Sequence, residues 1–181
     1  MKVRETGLPG VLLIEPRLFR DARGAFWEGF EDERYAAAGV AGPFVQDNFS
    51  RSARGVLRGL HFQDPHPQGK LVSALAGSVW DVALDLRPAS PGYGRWEGFE
   101  LSAENALQLW IPPGFAHGFQ ALSDGVLLAY KCTETYAPAA DGGIRWDDQQ
   151  LAIPWPIAPP VLSAKDAALP TLAEWAARRG R

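Results

Sequence analysis

The sequence predicts an all-β sandwich or barrel, and three observations carry that expectation. SVWDVALDLR alternates Trp80, Val82, Leu84 and Leu86 with Asp81, Asp85 and Arg87, the period-two pattern of a half-buried antiparallel strand. Short β-rich runs of the same kind recur along the chain, and turn clusters such as SPGYG and IPPGF separate them. Many short strands at this spacing are the mark of a sandwich or barrel.

Taken in order, VLLIEP opens the strand series and EDERYAAAG supplies the first helical signal, with Gly39 placed as its C′ residue. RGVLRGLHFQ follows, apolar enough for a buried strand yet carrying Arg54, Arg58 and His61. KLVSALAG, SVWDVALDLR, ALQLWIP, FQALS and GVLLAYKCTETY are the remaining strand runs. IPWPIAPP, Ile153 to Pro160, holds too many prolines for an interior strand and is expected to run extended across the surface. The tail PTLAEWAARRG puts Leu172, Trp175 and Ala176 on one helical stripe.

With 181 residues, 46 % of them hydrophobic, the chain can bury a substantial core, and one domain spanning 1–181 is the expectation. A net charge of −3 without a basic tract argues against nucleic acid as a partner. No apolar run approaches the ~18 residues of a membrane span, and MKVRETGLPG lacks a secretory h-region, so a cytoplasmic protein is expected. The single cysteine, Cys132, forms no internal disulfide and reads as a core residue.

The chemistry-bearing residues are few. The three histidines are His61, His66 and His117, and the position two after His61 is Gln63, so the H-x-H pair of a β-barrel metal site is missing and no metal is expected. His61 suits general acid or base work, or else a hydrogen-bonded place in the core. Tyr130 shares parity with Val126, Leu128 and Cys132, which turns its phenol inward, toward a core partner or a ligand. Lys70 shares parity with Val72 and Ala74, which suits an ammonium awaiting an anion, or one snorkelling from a strand end. Asp166 could cap the C-terminal helix. Glycine-rich phosphate loops are absent, leaving Arg23, Arg54, Arg58 and Lys165 as candidate anion ligands or plain surface charges.

Several strings, QDNFSRSARGVLRGLHFQ, PQGKLV, DVALDLR, SPGYGRW, LSAENALQLWIPPGFAHGF, YKCTETYAP, GIRWDD and LSAKDAALP, stand in an order and spacing that resemble the dTDP-4-dehydrorhamnose 3,5-epimerase family, from about Arg23 to Pro170. The resemblance implies a cupin-type jelly roll (a double-stranded β-helix), a homodimer exchanging N-terminal strands, and no cofactor. It also implies a dTDP-4-keto-6-deoxysugar substrate, inverted at C3 and C5, both α to the C4 ketone. His61 then matches the base, Asp166 its supporting carboxylate, Tyr130 the acid, and Lys70 the cation facing the enolate oxygen. Arg23, Phe26 and Glu28 match a string that reaches into the partner's site. Gln46, Asn48, Arg58, His117, Tyr136 and Lys165 match substrate contacts, with Tyr136 packing on thymine. Asp141 stands where a glutamate is usual, and Ser73, Trp80 and Phe62 are further departures that read as packing.

Two rivals accompany this reading. One is an epimerase acting at C3 or C5 alone. The other is a non-catalytic or metal-dependent cupin, disfavoured by the His61, Asp166 and Tyr130 set and by Gln63. One structural demand follows from the resemblance. A regular strand puts Arg58 with Leu60 and His61 with Gln63 on opposite faces, yet both are needed in one pocket, so a bulge is expected near Gly59.

Overall fold

The computed structural model describes residues 1–179; Gly180, which ends the tail motif, and Arg181 lie outside the described residues. The chain runs β1 Lys2–Glu5, β2 Leu12–Glu15, β3 Phe19–Asp21, β4 Gly24–Phe26, α1 Asp32–Ala37, β5 Gln46–Ser52, β6 Leu57–Gln63 and β7 Lys70–Ala76. It continues through β8 Ser78–Asp85, β9 Trp96–Ser102, β10 Gln108–Ile111, β11 Phe115–Ala121, β12 Val126–Cys132, β13 Asp141–Gly143, α2 Ala164–Ala167 and α3 Leu172–Arg179.

Two antiparallel sheets face each other, as the alternating patterns require. One has the order β1-β2-β10-β7-β12-β5, the other β13-β6-β11-β8-β9, and β3 and β4 form a separate hairpin. Their inner faces share one core, to which Val72, Leu109 and Leu128 contribute from the first sheet and Val79, Leu101 and Phe115 from the second. The back of the second sheet is covered as well: Leu60, Phe62, Val82 and Leu84 pack under Ile144, Leu151, Ile153 and Leu172 of the C-terminal segment. Ile14, Leu71 and Trp110 pack similarly with Tyr35 and Val40 behind the first sheet. Burial of each such side chain stabilises the fold by roughly 1.5–3 kcal/mol before conformational entropy is set against it.

This covering of both faces overturns one expectation. The aspartates of β8 point inward, not to water: Asp81 and Asp85 are 0 % exposed. Their face carries Val79 and Ala83 into the space between the sheets, while Val82 and Leu84 lie beneath the C-terminal segment. The alternation in SVWDVALDLR therefore separates two interiors. Asp85 is satisfied by Arg87 at 2.6 Å and by the Ser90 hydroxyl at 2.6 Å, and these bonds hold its carboxyl below the ordinary range although burial opposes them.

The helices follow their local signals. Glu31 caps α1 by accepting from the Glu33 and Arg34 amides, and Gly39 takes the left-handed conformation just past its end (φ 91°). α3 begins with a Thr171/Glu174 capping box and an Asp148 carboxylate bound to the Leu172 amide. Asp166 therefore does not cap the C-terminal helix; it sits in α2, a single turn that composition did not announce and that Ser163 caps. Residues 153–160 form neither helix nor strand, but buried Gln120 pins Ile157 through both its amide N–H and its carbonyl. Of the family departures, Ser73 accepts a bond from Gln108, Phe62 meets Trp175 edge-on, and Trp80 packs behind the second sheet. None of the helices among the described residues is long and apolar enough to cross a membrane.

Candidate active site

The site begins with the irregularity that Gly59 introduces. β6 lies along β11 with His61 opposite His117 and Arg58 opposite Phe119, so three steps on β6 match two on β11 and β6 carries one extra residue. Gly59 has φ +114°, and a Cβ there would lie 2.6 Å from the Gly118 Cα and 2.7 Å from the His117 carbonyl oxygen. The expected bulge is present. It turns Arg58 and His61 into the same cavity while Leu60 points to the covered back of the sheet.

That cavity, about 390 Å³, lies between the sheets. His61 enters from β6, His117 from β11, Lys70 from β7 and Tyr130 from β12, with Lys165 and Asp166 closing it from α2. It is continuous, through His61, Lys70, Tyr130 and Lys165, with a second compartment of about 300 Å³ lined by Gln46, Asn48, Gln63, Tyr136 and Asp141. His61 and Tyr130 thus stand on opposing sheets and face one space.

The His61 Nε2 lies 2.5 Å from Asp166 Oδ1, and Asp166 is 4 % exposed. Burial pushes the Asp166 carboxyl up, but the hydrogen bond and charge of His61, with Ser163 and Lys165, outweigh it and hold the group below its ordinary value. An ionised Asp166 accepts the proton on Nε2, which leaves Nδ1 of His61 as the basic nitrogen. Burial pushes the Tyr130 phenol up, Cys132 adds to this and Arg58 opposes it, so the phenol keeps its proton at neutral pH. Lys70 is 8 % exposed and has no hydrogen-bond or ion-pair partner among the described residues. Burial lowers its pKa, with Cys132, Asp81 and Asp141 acting the other way.

The other expected residues fall into two groups. Arg58 donates to the Ser52 hydroxyl at 3.2 Å and to the Arg51 carbonyl at 3.2 Å. Gln46 donates to Asn48 and accepts from the Tyr136 amide, and the Tyr136 hydroxyl and Lys165 ammonium both meet Asp141 Oδ2 at the rim. Arg23, Phe26 and Glu28 do not reach this cavity. Arg23 pairs with Asp21 at 2.6 Å on the exposed β3–β4 hairpin, Phe26 is 71 % exposed, and Glu28 pairs with Arg34. Arg54 sits at the entrance to β6, held by Leu122 and Asp124. Cys132 is fully buried.

One residue in the cavity wall escaped the sequence reading. Asp81 holds the His117 Nε2 with both oxygens, at 3.0 and 2.9 Å. DVALDLR contains it, but a period-two reading sends it to solvent; the available signal was that His117, on an apolar strand, needed a partner. No group of three or more His, Cys, Asp or Glu among the described residues is placed to hold a metal ion.

Comparison with known proteins places this geometry. Residues 5–174 match the family model described as dTDP-4-dehydrorhamnose 3,5-epimerase. The dTDP-4-dehydrorhamnose 3,5-epimerase of Pseudomonas aeruginosa is 52 % identical over 168 residues, 92 % of this chain and 93 % of that protein. A crystal structure of the Legionella pneumophila dTDP-6-deoxy-D-glucose-3,5-epimerase in complex with dTDP-4-keto-L-rhamnose superposes with a TM-score of 0.92 at 51 % identity, covering 95 % of this chain and 93 % of that one. A dTDP-4-dehydrorhamnose 3-epimerase from Streptomyces niveus is 42 % identical, covering 96 % of this chain and 85 % of that protein. Two facing antiparallel sheets with a charged cavity between them are the cupin-type fold of these relatives. With family model, sequence and fold in agreement over nearly its whole length, the chain belongs to the dTDP-4-dehydrorhamnose 3,5-epimerase family.

Proposed function

We propose that the protein is a dTDP-4-dehydrorhamnose 3,5-epimerase, inverting C3 and C5 of dTDP-4-dehydro-6-deoxy-D-glucose to give dTDP-4-dehydro-L-rhamnose. The observation that carries this reading is the His61–Asp166 pair on one sheet facing Tyr130 on the other across one cavity. Inversion at carbon needs a base on one face and an acid on the other, and opposing sheets supply two faces.

Both carbons are α to the C4 ketone. Nδ1 of His61 takes the α proton, and Asp166 stabilises the imidazolium. The electron pair moves into an enolate whose oxygen the Lys70 ammonium stabilises; in a dry cavity that charge acts strongly, and it is preorganised because no protein group neutralises it. Tyr130 returns a proton to the opposite face. Arg58 and Lys165 suit the diphosphate, and Tyr136 presents a flat ring to the base. Asp141, one methylene shorter than the usual glutamate, already engages Tyr136 and Lys165, so its reach to substrate runs through a water.

The exposed hairpin supports the homodimeric part of the proposal: Arg23, Phe26 and Glu28 have no cavity within their own chain and would complete the partner's. A cytoplasmic location accords with the single buried thiol. Similarity to a 3-epimerase sustains a second reading, inversion at C3 alone.

The test is His61→Asn. It is expected to abolish solvent exchange at both carbons while dTDP binding, followed by calorimetry, stays within a few-fold of wild type. Loss of dTDP binding in a folded variant would make His61 a structural residue and withdraw the assignment.

A further inference from the structure

The cavity holds a second histidine–carboxylate pair that the chemistry above does not use. His117 lies directly across from His61 on the neighbouring strand, and its ring centroid is 6.3 Å from that of Tyr130. Its Nε2 is fixed by both Asp81 oxygens, and both residues are buried. Nδ1 accepts and donates no hydrogen bond among the described residues, although the ring lines the cavity. His117 is thus built like His61: one nitrogen anchored by a buried carboxylate, the other turned toward the shared space. A group that merely contacted substrate would not need a bidentate carboxylate behind it.

The proton balance of the proposed reaction says what such a pair is for. At the first carbon the C–H bond breaks, its electron pair enters the enolate and the proton goes to His61. The Tyr130 O–H bond then breaks as the new C–H bond forms. The site is left with imidazolium at His61 and phenolate at Tyr130. Neither can serve the next inversion until one proton has crossed from base to acid.

We propose that His117 carries that proton, taking it at Nδ1 from His61, directly or through a cavity water, and delivering it from the same nitrogen to the Tyr130 phenolate. Asp81 is the positioning residue: it fixes the tautomer with Nδ1 unprotonated and stabilises the transient imidazolium. The other charged groups facing His117 are Lys70, Arg58, Lys165 and Asp166. The three cations disfavour a standing charge on the ring, and Asp81 offsets them only while the proton passes. The inference rests on the base and acid roles proposed for His61 and Tyr130.

The experiment is rapid-quench mass spectrometry of label uptake in deuterated water, with the natural substrate and with His117→Gln and Asp81→Asn. Glutamine keeps a donor where Nε2 meets Asp81 but cannot relay a proton. The expected result for His117→Gln is a burst of one inversion per active site at the wild-type rate. Later inversions should be slower by roughly tenfold to a hundredfold, with KM near wild type and the later phase restored by added imidazole. Asp81→Asn should show the same burst with a milder later loss. A first inversion slowed as much as later ones, a rise in KM with kcat unchanged, or no burst in either variant would overturn the relay. The wild-type arm separates the two claims: label at a single carbon would sink the 3,5-reading, while the burst, counted per inversion, still decides the relay.

Discussion

The cavity and the β3–β4 hairpin are held in place by different means. His61, Lys70, His117 and Tyr130 project from interior strands paired on both sides, and the carboxylates behind the two histidines are buried. The hairpin pairs only with itself, exposes Phe19 and Phe26, and is held by an Arg23–Asp21 ion pair in open solvent, a kind of contact that adds little. Chemistry that depends on tenths of an ångström sits where one chain can fix it. The binding arm, apolar and unsupported, is shaped for a surface that its own chain does not provide, and a second copy is the proposed one.

The comparison breaks most severely at Gly59. Gly59→Ala would force a Cβ into the β11 backbone at a positive φ, a clash and strain costing roughly 3–5 kcal/mol together. Thermal melts should show a large loss of stability; an unperturbed melt with full activity would mean that the bulge does not set the site. Tyr130→Phe leaves the fold standing and should lower net inversion by roughly a hundredfold or more, while exchange of the abstracted proton survives better. Equal loss of both would contradict separate acid and base roles. On the hairpin the effect should be one of binding: Arg23→Ala is expected to raise KM by roughly tenfold with kcat little changed. A fall in kcat alone would move Arg23 into the chemistry.

The smallest effect concerns stability, and its sign is informative. Lys70 has its pKa lowered by burial, so its protonation costs the folded state more than the unfolded one. Lys70→Met should therefore abolish most activity yet stabilise the protein by about 1–2 kcal/mol at neutral pH, a gain that shrinks as pH rises toward the ordinary lysine value. Asp166 behaves oppositely. Its lowered carboxyl contributes stability above its unfolded value of about 3.8, and that contribution is lost as pH falls through the folded value. Asp166→Asn should flatten this acid limb in pH-dependent melts.

Much of this was legible in the sequence where a local rule and the global fold agree. The inward parity of Tyr130 and Lys70 followed from period two, and the bulge followed from asking how Arg58 and His61 could share a pocket beside a glycine. What was not legible depended on what covers the second sheet. Periodicity shows that the two faces of β8 differ, but not that both are buried, so Asp81 was sent to solvent and the His117–Asp81 pair was missed. α2 is too short to carry a periodic signal, and only tertiary contact with β6 gives Asp166 its place beside His61.

The central claim is that one cavity inverts two carbons from two faces. Its most direct measurement is the reaction of the wild-type protein in deuterated water with dTDP-4-dehydro-6-deoxy-D-glucose, followed by NMR location of the label. The account predicts deuterium at both C3 and C5 of an L-configured product. Deuterium at one carbon only, or none with the substrate demonstrably bound, would contradict it.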